Sequence, residues 1–175
     1  MIVNNLPIDG LKLIIPEVFT DERGYFFESY NKQAFNTKLK LDHDFIQDNH
    51  SMSKKGVLRG LHYQKKPFEQ GKLIRVVSGE IYDVALDLRS NSATFGKWHA
   101  ELLSSTNKKQ FWIPRGFAHG FLTLTDSAEV AYKTDNVYSR DHEVNIPWNS
   151  NKFSIKWPDI GCSIITSLKD SGIIE

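Results

Sequence analysis

The sequence predicts an all-β fold, a sandwich or jelly roll, on three observations. Short runs rich in β-branched and aromatic residues recur from Leu11 onward. Most are bounded by Gly, Asn, Ser or Pro, and only one short segment carries a helical face. The helical segment is 31–41, where Ala34, Phe35 and Leu39 share a face and Asn31 is placed as an N-cap. The strand-like runs include 73–77, 80–88, 98–103, Gln110–Ile113 and 128–134. Within 80–88, Tyr82, Val84, Leu86 and Leu88 fall on one face and Ile81, Asp83, Ala85 and Asp87 on the other. Those aspartates either line an interior pocket or face solvent, and alternation alone does not choose between the two.

The chain has 175 residues, the usual size of one domain, and shows no internal repeat, low-complexity stretch or linker composition, so a single domain over 1–175 is expected. Lys and Arg total 22 against 21 Asp and Glu, a formal charge of +1. That balance provides no broad basic field for nucleic acid or an acidic membrane, so an anionic ligand must be held by local charges. The opening Met-Ile-Val-Asn-Asn-Leu-Pro has no basic segment followed by an apolar run, and no later stretch is long enough to span a bilayer; a soluble, cytoplasmic protein is expected. Cys162 is the only cysteine, which excludes an intrachain disulfide and a thiolate zinc site; it reads as a half-buried strand thiol.

Polar residues concentrate in three strand-like clusters. The first is Gly56-Val-Leu-Arg-Gly-Leu-His-Tyr-Gln64, followed by Gln70-Gly-Lys72. It brings together Arg59, His62 and Lys72. An imidazole suits proton transfer near neutral pH, and a nearby ammonium stabilises charge developing on a carbonyl oxygen, so the pair describes enolisation. Taken singly, such a histidine is more often a hydrogen-bonded structural residue than a catalyst, and it is the neighbours of His62 that reverse the balance. The second cluster is Trp112-Ile-Pro-Arg-Gly-Phe-Ala-His-Gly-Phe121, where Pro and Gly predict a tight turn that presents His119 as a functional, structural or metal-binding imidazole. The third is Ala131-Tyr-Lys-Thr-Asp-Asn-Val-Tyr138, whose alternation sends Tyr132 to the face opposite Lys133. A phenol there carries a proton or simply packs. Near the N-terminus, Thr20-Asp-Glu-Arg-Gly-Tyr-Phe-Phe-Glu28 combines charge with aromatics, which fits a grip on a base and phosphates or an exposed hairpin.

Together with Gln47-Asp-Asn-His-Ser51, Asp83-Val-Ala-Leu-Asp-Leu-Arg89 and Lys169-Asp170, these segments resemble, in order and spacing, the dTDP-4-dehydrorhamnose 3,5-epimerase family over about 19–170. The resemblance implies a cupin-type jelly roll, a homodimer, no cofactor and a dTDP-linked 4-keto-6-deoxyhexose as substrate. It implies that His62 is the base, Tyr132 the acid on the opposite sugar face, Asp170 the orienter of His62 (with Asp83 as the fallback) and Lys72 the group beside the ketone oxygen. Arg23, Glu28, Gln47, Asn49, Arg59, His119, Glu143 and Lys169 match positions that hold substrate, Asp48 lies within the same segment as Gln47 and Asn49, and Tyr138 matches an aromatic near the sugar and nucleotide. Where the family carries Trp-Asn-Asp, this chain reads Trp148-Asn-Ser150, a change in a surface turn.

Three alternatives accompany this expectation. A single-site epimerase would share every motif. A metal-dependent cupin needs a His-x-His pair and a carboxylate; here Gln64 replaces the second histidine, leaving His62, Glu69 and His119. A non-catalytic nucleotide-sugar binding module would use the same Arg, Gln and Asn residues without His62, Lys72 and Tyr132 acting together.

Overall fold

The computed structural model describes residues 1–41 and 44–171. In chain order its elements are β1 (Ile2–Asn5), β2 (Lys12–Ile15), β3 (Phe19–Asp21), β4 (Gly24–Phe26), α1 (Lys32–Leu39), β5 (Gln47–Lys54), β6 (Leu58–Gln64), β7 (Lys72–Ser78), β8 (Glu80–Asp87), β9 (Trp98–Ser104), β10 (Gln110–Ile113), β11 (Phe117–Thr123), β12 (Ser127–Thr134) and β13 (Glu143–Asn145). All strand pairs within the sheets are antiparallel. A six-stranded sheet of order β1-β2-β10-β7-β12-β5 faces a five-stranded sheet of order β13-β6-β11-β8-β9, while β3 and β4 form a separate hairpin. This is the expected jelly roll.

Alternation explains how the layers meet. Ile74, Val76, Phe111 and Ile113 from the larger sheet pack against Ile81, Ala85, Phe117 and Phe121 from the smaller one. The opposite faces are covered differently. Leu73, Trp112 and Ile14 lie under Phe35 and Leu39 of α1, whose Asn31 N-cap accepts from Ala34 N–H at 3.1 Å as expected. Val84, Leu86 and Ala118 lie under Ile146, Trp148, Phe153 and Trp157 of the C-terminal segment. The two readings of β8 are thereby decided: Asp83 and Asp87 point inward and are fully buried, Asp87 being held by Arg89, Ser92 and Thr94.

Two sequence expectations are corrected. Cys162 is exposed and outside any strand, because the chain from 158 to 164 runs over the surface without ladder pairing. His119 is not on a turn: the turn closes at Gly116, and His119 sits within β11, buried on both sides by β6 and β8.

The feature that positions the site is a close approach of β6 and β11. His119 stands opposite His62, and the register then shifts before Phe121 meets Arg59. A Cβ on Gly60 would lie 2.6 Å from Gly120 Cα and from His119 O, and Gly60 itself has φ +112°. Both the space and the dihedral therefore require glycine. Gly60→Ala is expected to cost at least ~2 kcal/mol in denaturant unfolding, since the obstacle is backbone that cannot move aside. Gly161→Ala, at φ +70° with nothing within 4 Å, is expected to cost only about 1 kcal/mol. Equal losses at the two positions would contradict this reading of the β6–β11 contact.

Candidate active site

Between the sheets, at the end where β5, β6, β7, β11 and β12 converge, lies a cleft of about 570 Å³. Its walls carry Asn49, Arg59, His62, Lys72, His119, Tyr132, Lys169 and Asp170, all predicted site residues. One wall is the C-terminal strap of Ile165, Thr166 and Ser167, which the sequence reading missed. The strap is tied to β6 by backbone bonds from Leu58 N–H to Ile165 O and from Ile165 N–H to Gly56 O, each 2.8 Å.

That strap delivers Asp170 to His62. His62 Nε2 and Asp170 Oδ1 are 2.5 Å apart, and Asp170 Oδ2 accepts from Gly60 N–H at 3.4 Å. Burial pushes the Asp170 carboxyl up, but the hydrogen bond and charge of His62, with help from Gly60 and Ser167, hold it below the ordinary carboxylate value. An ionised carboxylate can only accept, so Nε2 carries hydrogen and Nδ1 is left towards the cleft. Asp170, not Asp83, is thus the partner of His62. Asp83 belongs to His119, with His119 Nε2 and Asp83 Oδ1 also 2.5 Å apart. Burial pushes the His119 imidazole down, Asp83 opposing it, so this second ring is neutral near pH 7.

Lys72 opens β7 and is buried, and burial pushes its ammonium down to about 8 against the pull of Asp83 and Glu143. Tyr132 lies in β12 between Asn49 of β5 and Ile74 of β7. Burial pushes its phenol up, Glu143 adding to this and Arg59 opposing it, which keeps it protonated at neutral pH. Arg59 is anchored through Nε to Ser53 Oγ at 2.9 Å and through Nη2 to Met52 O at 3.2 Å.

Other predicted residues form a rim. Glu143 in β13 accepts from Tyr138 Oη at 2.7 Å and from Lys169, and its Oε1 is 3.9 Å from His62 Nδ1. Burial pushes the Glu143 carboxyl up, but Lys169, Tyr138 and His62 outweigh it and hold it below the ordinary value. Gln47 donates to Asn49 Oδ1 and accepts from Tyr138 N–H, linking the nucleotide-side candidates to the cleft.

Three predicted residues are not brought to this cleft within one chain. Asp48 points to the other face of β5, where it accepts from Lys133 at 2.8 Å. Arg23 is 86% exposed on the β3–β4 hairpin and pairs with Asp21, and Glu28 accepts from Asn31 at 3.1 Å. The carboxylate required for a cupin metal set also lies elsewhere: Glu69 lines a different cleft with Gln64. Gln64 ties down loops, donating to Phe68 O at 2.8 Å and accepting from Ser139 N–H at 2.6 Å.

The chain is similar in sequence and fold to known proteins. A family model described as dTDP-4-dehydrorhamnose 3,5-epimerase matches residues 5–175. The chain is 53% identical over 151 residues to the dTDP-4-dehydrorhamnose 3,5-epimerase of Shigella flexneri, covering 86% of this chain and 83% of that protein. It superposes with a TM-score of 0.93 and 46% identity on a dTDP-6-deoxy-D-glucose-3,5-epimerase from Legionella pneumophila in complex with dTDP-4-keto-L-rhamnose, covering 96% of this chain and 88% of that one. A 3'-monoepimerase from Streptomyces bikiniensis in complex with dTDP-quinovose matches at TM-score 0.88 and 30% identity, covering 95% of this chain and 83% of that one. Fold, cleft and relatives define a jelly-roll sugar epimerase, a class of isomerases. Within that class, the chain belongs to the dTDP-4-dehydrorhamnose 3,5-epimerase family.

The lowered Asp170 pKa gives a stability signature. Its charge stabilises the fold above the ordinary carboxylate value and stops doing so as pH falls through the lowered one. Urea unfolding from about pH 6 to about pH 2 should therefore lose stability more steeply in wild type than in Asp170→Asn. Parallel pH profiles would contradict the His62–Asp170 pair.

Proposed function

We propose that this protein epimerises dTDP-4-dehydro-6-deoxy-D-glucose at carbons 3 and 5, giving dTDP-4-dehydro-L-rhamnose, a precursor for cell-surface polysaccharide. The observation that carries this reading is the convergence of a carboxylate-oriented imidazole, a buried ammonium and a protonated phenol on one cleft.

In the proposed reaction His62 Nδ1 takes the proton beside the ketone, and the C–H electron pair moves into the carbonyl to form an enolate. Lys72 meets the oxygen where that charge develops. Tyr132 then gives its phenolic proton to the same carbon from the opposite face, which inverts the centre, and solvent restores both groups. No electrons leave or enter, so the step needs no redox partner. Two inversions require the ring to turn or repucker between steps, because a fixed base addresses one carbon at a time.

Arg59 and Lys169 suit the diphosphate, His119 a sugar hydroxyl, and Asn49 with Gln47 the base. A homodimer accounts for Arg23 and Glu28. The β3–β4 hairpin stands off its own cleft with Phe19, Tyr25 and Phe26 more than half exposed, which fits insertion beside the cleft of a second copy. We place the reaction in the cytoplasm, where nucleotide-activated sugars are made; among the described residues no helix is long and apolar enough to cross a membrane.

The likeness to a 3'-monoepimerase favours a second reading, epimerisation at one carbon only. Proton NMR of turnover in D₂O separates the two: deuterium is expected at both carbons, label at one carbon would establish the single-site enzyme, and no label would overturn the epimerase assignment. His62→Ala is expected to lower kcat about 10³-fold while dTDP affinity, read by calorimetry, stays within a few-fold of wild type. Unchanged turnover would remove His62 as the base, and tight binding with no wild-type turnover would instead establish a binding module.

A further inference from the structure

We infer that Asp83 is a positioning residue with two simultaneous tasks: one carboxylate oxygen fixes the His119 imidazole, and the other supplies the buried counter-charge for Lys72. The inference deepens the epimerase reading and rests on it for the identity of the ligand oxygen that Lys72 meets.

Asp83 is fully buried beneath the cleft in the middle of β8, opposite Phe121 of β11 on one side and Glu101 of β9 on the other. Its Oδ1 takes the His119 contact, while Oδ2 is buried and, among the described residues, has no hydrogen-bond partner. A buried carboxylate oxygen without a donor is costly unless a nearby positive charge compensates it. Lys72 is the matching cation. It is itself buried, lines the same cleft as His119, and no described residue accepts a hydrogen bond from its ammonium. Each group therefore lacks a local partner of the kind the other offers through space.

The surroundings single out this pairing. Glu101, which shares the inward face with Asp83, is occupied by His99 Nε2 at 2.8 Å. Glu143 is occupied by Tyr138 and Lys169, and Asp170 by His62. Arg59 is anchored on Ser53, and Tyr132 is uncharged while its phenol is pushed up. Burial drives the Lys72 ammonium down to about 8, and Asp83 is the foremost influence holding it up, ahead of Glu143. Without Asp83, burial would push the Lys72 ammonium down further, and a neutral amine stabilises an enolate poorly.

The Asp83–His119 contact has a second consequence. A carboxylate accepting from Nε2–H turns the Nδ1 lone pair of His119 away from Asp83, so the neutral ring presents an acceptor rather than a donor. His62 and His119 thus form side-by-side imidazole–carboxylate pairs with different duties. His62 is 28% exposed to the cleft, whereas His119 is 8% exposed and held neutral.

The test uses the full-length protein without substrate, so that it stands apart from the epimerase assignment. Lys72 is followed by ¹³Cε NMR, its signal identified by loss in Lys72→Gln, and the titration midpoint is compared between wild type and Asp83→Asn. The amide retains an acceptor for His119 but removes the charge, and the midpoint is expected to fall by about one pH unit or more. An unchanged midpoint in a folded Asp83→Asn protein would overturn the counter-charge. In wild type, ¹⁵N NMR of His119 is expected to show the Nε2–H tautomer; the Nδ1–H tautomer would overturn the positioning role even if Asp83→Asn fails to fold. In a protein that turns over substrate, the alkaline limb of kcat/KM should move down in pH with the Lys72 midpoint, a shift that a purely structural role for Asp83 would not produce.

Discussion

His62 and Asp170 meet at 2.5 Å although they are 108 positions apart in sequence. That bond holds the C-terminal strap over β6, closes one wall of the cleft and orients the imidazole that faces into it. It exists because two backbone bonds at Ile165 bring the strap to the edge of β6, and because Gly60 lets β6 approach β11 closely enough to offer its own N–H to the same carboxylate.

The chemistry depends on placing charge where water is scarce. A jelly roll has an apolar core by default, and a cleft opening into it makes every charge expensive. This protein meets the cost locally: Asp170 is set against His62, Asp83 against His119, and Glu143 against Lys169 and Tyr138. Lys72 is the exception among the cations of the site, buried without a hydrogen-bonded acceptor among the described residues. An ammonium left in that state has its donors available for an oxygen that acquires charge, which is the demand of enolate formation.

Much of this was legible in the sequence, for identifiable reasons. Period-two alternation is a local signal, so β7, β8, β9, β10 and β12 could be read to within a residue or two, whereas the Pro and Gly around β11 were read as a turn; the Asn31 cap followed from side-chain chemistry alone. The same alternation within β5 sends Gln47, Asn49 and Ser51 inward and Asp48 outward, a distinction available in the sequence but obscured by reading the segment as one motif. The strap had no such signal: 158–164 lacks ladder pairing, and its role is set by long-range bonds at Ile165. The partner of Asp83 was likewise hidden, because which imidazole a carboxylate meets is decided by the long-range pairing of β8 with β11, which sets Asp83 beside His119.

The most direct test of the central claim is a crystal structure of the protein with a dTDP-linked 4-ketohexose bound in the cleft. The hexose ring is expected between His62 Nδ1 on one face and the Tyr132 hydroxyl on the other, with Lys72 Nζ within hydrogen-bonding distance of the keto oxygen. A ring held with both side chains on the same face, or with Lys72 directed at another oxygen, would contradict that claim.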